Sequence, residues 1–99
     1  MKFENNPSKL AEYFNVFETV REYVHGNERA SRIFRDAIAA NMCAQRSLWA
    51  GDEAEGLNHL GHYEDEMRRL KKLLTMRLGV NDGMCHRILV EMAAEAVGL

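Results

Sequence analysis

Apolar residues recur at spacings of three and four along almost the whole chain, the period of a single helix face. From residue 10 to 24 they are Leu10, Tyr13, Phe14, Phe17, Val20 and Val24. Asn6 and Pro7 precede this run and read as an N-cap and a first helical residue. His25-Gly26-Asn27-Glu28 then allows two readings. With Gly26 just past a helix end and Asn27 as the next N-cap, the chain breaks there. With Gly26 kept inside one long helix, the cost is about 1 kcal/mol against Ala. The break is favoured, because the unbroken helix would far exceed the usual ~10–14 residues.

Residues 28–50 carry two apolar strips. Phe34, Ile38, Met42 and Trp49 form one; Ala30, Ile33, Ala37, Ala44 and Leu48 form the other. The strips stand roughly 110–120° apart at 100° per residue. A helix with two such strips touches two neighbours, so this one is expected to be central. The small side chains of Ala30, Ala37, Ala40 and Ala44 suit the close approach of another backbone. Gly51 ends the segment, and Asp52-Glu53-Ala54-Glu55 has the form of a capping box. Residues 53–78 continue with the stripe Leu57, Leu60, Tyr63, Met67, Leu70, Leu74 and Leu78. Acidic residues crowd the start of this helix and basic ones its end, both in favour of the helix dipole. Gly79 closes it, and Asn81-Asp82-Gly83 has turn chemistry. A last helix is predicted over 84–97, on Cys85, Ile88, Leu89, Met92, Ala93 and Ala96.

No segment keeps strand period, so the expected fold is all-α: one antiparallel bundle of three or four helices over residues 1–99, with helices about 7–25, 28–50, 53–78 and 84–97. Short connections make neighbouring helices antiparallel. The two strips on 28–50 ask for more cover than a thin bundle provides. Self-association as a two-fold homodimer follows as an expectation.

Composition narrows the class. The chain has 99 residues, 46% hydrophobic and 28% charged, which is ordinary for a folded domain and unlike a disordered one. Thirteen basic against fifteen acidic residues give net −2, which disfavours indiscriminate polyanion binding. No apolar run reaches the ~20 residues of a membrane-spanning helix, and the first residues lack the apolar core of a signal peptide. Cys43 and Cys85 read as free thiols of a reducing cytosol, against a disulfide framework. A cytoplasmic location without membrane contact is the expectation.

Three constellations carry candidate chemistry. Arg29, Arg32 and Arg35, with Arg46 further on, line one side of the second helix. Arg68, Arg69, Lys71 and Lys72 lie toward the far end of the third. In an antiparallel hairpin position 30 lies near position 72, so the two basic groups meet and form a surface for phosphates. The alternative is a solvated face with pairs such as Glu28–Arg32. His59-x-x-His62-x-x-x-Glu66 places two imidazoles and a carboxylate along one helix, a set that suits zinc, iron or nickel. The alternative is a row of boundary polar residues. Glu91 and Glu95, four apart, stand beside the last apolar stripe. There is no nucleophile elbow and no Gly-rich phosphate loop, and no cofactor is expected.

Arg21-Glu22-Tyr23, Arg29, Arg32, Arg35-Asp36-Ala37, Leu48-Trp49-Ala50-Gly51-Asp52-Glu53-Ala54-Glu55 and Leu70-Lys71-Lys72-Leu73-Leu74 together resemble the N-terminal helical region of the translin family. Ile88 to Ala96 is similar to that family's next, Glu-containing helix, where only Glu91 matches in position. The resemblance implies an all-helical, self-associating protein that binds single-stranded RNA or DNA. Arg29, Arg32, Arg35, Arg68, Arg69 and Lys72 are then the expected phosphate contacts. A helical adaptor without ligand chemistry and a metal-binding bundle are the alternatives.

Overall fold

A computed structural model describes the backbone of residues 7–98 and the side chains of residues 11–98. The expected Asn6 cap and the Leu10 contribution to the first stripe lie outside the described residues. Four helices follow in order: α1 (Pro7–Gly26), α2 (Glu28–Trp49), α3 (Glu53–Leu78) and α4 (Asp82–Ala96). The described chain contains no strand, and no helix long and apolar enough to cross a membrane.

The break between α1 and α2 is a single residue. Asn27 adopts an extended conformation (φ −99°, ψ 123°), and its side chain accepts from the Ala30 amide at 3.0 Å. Gly26 stays helical; the left-handed glycines are Gly51, Gly79 and Gly98. The helix therefore ends because Asn27 offers α2 a cap, and the freedom of Gly26 is not used. Hydrogen bonding continues through the junction, from Asn27 N to Tyr23 O and from Ser31 N to Asn27 O.

α2 and α3 form a long antiparallel hairpin. Its turn uses Gly51 at φ 83°, and Asp52 accepts from the Glu55 amide at 3.1 Å. Only half of the expected capping box forms: the Asp52 amide donates to Ser47 O at 2.9 Å, and the Glu55 carboxylate meets His59 at 3.2 Å. Ala37, Ala40, Ala44 and Gly56 are buried along the seam and let the two backbones close on each other. One predicted boundary is displaced. Asn81 accepts from the Met84 amide at 2.8 Å, so Asp82 and Gly83 form the first turn of α4 in place of a loop.

α1 and α4 cover one end of the hairpin, the end away from the Gly51 turn. Val20 and Val24 of α1, Leu70 and Leu74 of α3, and Cys85, Ile88 and Leu89 of α4 are the most deeply buried large side chains. Ala30, Ile33 and Phe34 complete this core from α2. Arg21 of α1 reaches Glu95 of α4 at 3.2 Å, and Lys71 of α3 reaches Asp82 at 3.5 Å. The molecule measures 45 × 31 × 20 Å. Its turn end is two helices thick, and there Met42, Leu48, Trp49 and Leu57 are exposed.

Candidate functional site

The hairpin register decides which cations meet. Small residues on the seam keep α2 and α3 in contact over their length, so the start of α2 faces the end of α3. Between them lies a groove of about 340 Å³, lined by Arg29, Arg69, Lys72 and Arg77 over Ile33, Leu73 and Met76. No carboxylate among the described residues lines it. Among the described residues, Arg29, Lys72 and Arg77 form no ion pair. Their charges are not tied up in ion pairs and add to one local positive potential.

A second hollow continues the first toward the middle of the hairpin. It shares Arg29, Ile33 and Arg69 and adds Glu28, Arg32, Asp36 and Glu66. Its charges are largely matched. Arg32 pairs with Glu28 at 3.2 Å, and Arg69 pairs with Glu66 at 2.8 Å. Glu66 is the one buried charged residue among those described. The trough thus runs from a purely cationic end to a mixed, self-neutralised stretch.

Four of the six expected phosphate contacts (Arg29, Arg32, Arg69 and Lys72) line this trough. The other two do not. Arg35 is exposed but stands six residues beyond Arg29, which turns it about 120° round the helix. Arg68 lines a separate groove, shared with Tyr63, Met67, Lys71 and His86, and pairs with Asp65 at 2.8 Å. Arg77, absent from the expected set, joins the trough. Its spacing of eight from Arg69, with Leu73 and Met76 between, is the signal that places it there.

The expected metal ligands do not converge. Among the described residues no three His, Cys, Asp or Glu side chains are grouped to hold a metal ion. His59 pairs with Glu55, Glu66 is held by Arg69, and His62 points to solvent. His59 and Glu66 are turned to different neighbours and His62 to solvent, although their helical spacing is compatible with a shared ion.

The remaining polar residues serve packing. Glu95 takes the Arg21 guanidinium, and Glu91 faces the Tyr13 phenol. Burial raises the Tyr13 pKa, and the hydrogen bond to Glu91 and the charge of that carboxylate raise it further. Burial also raises the Tyr63 phenol, outweighing a hydrogen bond from Asn41 that lowers it. Burial pushes the Cys85 thiol up, outweighing a hydrogen bond with Thr75 that lowers it, and Cys43 is a half-buried free thiol. None of these groups opens onto the trough.

No protein-family model, curated protein or solved structure matches the chain.

Proposed function

We propose that this chain is a small helical module that binds single-stranded RNA or DNA, in the manner of a translin-like protein, through the phosphates. The observation that carries the reading is the carboxylate-free end of the trough. Arg29, Arg69, Lys72 and Arg77 converge there, and three of the four lack an ion-pair partner. Guanidinium groups match phosphate oxygens in a two-pronged geometry, and ammonium groups add charge without direction. The floor of Ile33, Leu73 and Met76 gives bases or sugars an apolar surface but no aromatic platform. The binding is therefore read as backbone-led, with little sequence preference.

A protein with net −2 binds polyanions only where its cations are concentrated. The matched pairs Arg32–Glu28 and Arg68–Asp65 spread little field, whereas the free end of the trough focuses it. Titration of a fluorescein-labelled single-stranded 15-nucleotide RNA and its DNA counterpart, followed by anisotropy at low salt, tests the reading. Saturable binding that is lost in Arg29→Ala/Lys72→Ala/Arg77→Ala supports it. Equal affinity of the native and triply substituted proteins removes it.

A further inference from the structure

The second apolar strip of α2 is covered for only half its length. Phe34 is buried and Ile38 packs against the core beneath α1 and α4. Beyond them the same strip continues as Met42 and Trp49, which are 48% and 91% exposed. Leu57 of α3, 57% exposed, lies at the same end of the hairpin, as does Leu48 at 42%. A layer of helices needs a second layer to bury its face. At the open end α1 and α4 supply that layer. At the turn end none of the described residues supplies one.

We propose that a second copy of this chain supplies it, through a two-fold dimer in which the turn ends of two hairpins pack face to face as a four-helix bundle. The areas agree. The exposed portions of Trp49, Met42, Leu48 and Leu57 amount to about 500 Å², and a standard interface takes about 800 Å² from each partner, some two-thirds of it apolar in homodimers. The orientation follows from the fold. A parallel overlay would drive α1 and α4 of both copies into the same space, so the hairpins lie antiparallel, each turn pointing at the partner's α1–α4 layer. A two-fold axis makes the contact self-complementary and closed. Trp49 is the anchor, since large aromatic side chains dominate such interfaces.

The dimer leaves the cationic trough free, because α2 and α3 alone line it, on residues outside the exposed strip. Its test is therefore independent of nucleic-acid binding. Sedimentation equilibrium across 1–200 µM is expected to give a mass of twice 11.4 kDa at the upper concentrations. Trp49 is the single tryptophan, so its emission reports the contact directly. It is expected to be blue-shifted in the dimer and to move to the red on dilution. Trp49→Glu and, separately, Leu57→Glu are expected to give monomers with unchanged helical circular dichroism, because both side chains are exposed within one copy. A monomer at 200 µM with the emission of solvated indole overturns the proposal. So does a dimer that survives both substitutions, or an assembly larger than two.

Discussion

Leu48 lies directly over Gly56 across the hairpin seam. A Cβ placed on Gly56 would stand 2.6 Å from Leu48 Cδ2 and 2.7 Å from its Cγ. The close approach of α2 and α3 near their turn thus depends on a missing side chain. Gly56→Ala gains about 1 kcal/mol of helix propensity, and Leu48, at the rim, can rotate aside, so its net effect is expected to be small. Gly56→Leu cannot be absorbed that way. Urea unfolding is expected to show it about 1–3 kcal/mol less stable than the native chain, the usual cost of overpacking.

Removing the cap at the first break tests whether Asn27 creates it. Asn27→Ala loses the acceptor for the Ala30 amide and is expected to cost about 1 kcal/mol in thermal or chemical unfolding. Asn27→Asp keeps an acceptor and is expected to stay close to native. A neutral Asn27→Ala would mean that α1 and α2 tolerate fusion into one helix.

These two sites also show what was legible in the sequence. Asp52, Gly51 and Gly79 announce their turns locally, and the structure uses each as its residue type suggests. Asn27 announces a cap, but whether Gly26 also leaves the helix depends on the tertiary course of α1. α4 starts at Asp82, two residues before the predicted 84, because Asn81-Asp82-Gly83 has both turn and cap chemistry and the Asn81 side chain caps the Met84 amide. The cationic site was legible as a hairpin consequence, since Arg29 and Lys72 meet as antiparallel register requires. Its membership was not. Arg35 and Arg68 are turned off the trough by helical phase, His59 and Glu66 are drawn apart by partners (Glu55 and Arg69) that spacing alone does not rank, and His62 faces solvent.

The Glu66–Arg69 pair should couple measurably. Glu66 is buried while Arg69 is largely exposed, so removing the arginine leaves a carboxylate poorly solvated. Arg69→Ala is expected to cost about 1–2 kcal/mol, and the same change in a Glu66→Gln background noticeably less. A double-mutant cycle by urea unfolding measures the difference. Additive effects would mean that the pair contributes nothing.

Alkaline stability follows from the buried neutral acids. Cys85, Tyr13 and Tyr63 all have pKa values raised by burial from the ordinary 9.0 for the thiol and 10.0 for the phenols. The folded state holds these protons more tightly than the unfolded chain. Their contribution is thus fully present below the unfolded values and falls as pH rises past about 9 for Cys85 and about 10 for the tyrosines. Unfolding free energy is expected to decline across that window, less steeply in Tyr13→Phe. Below pH 9 the folded protein should react with a thiol reagent at Cys43 well before Cys85.

The proposed binding of a phosphate backbone rests on the unpaired cations Arg29, Lys72 and Arg77 at the open end of the α2–α3 hairpin. The most direct measurement is the salt dependence of affinity for a single-stranded oligonucleotide. Each neutralised phosphate contributes about −0.7 to the slope of log K against log salt, so Arg29→Ala/Lys72→Ala/Arg77→Ala is expected to flatten the slope by about 2. An unchanged slope in a variant of native helicity would contradict the account.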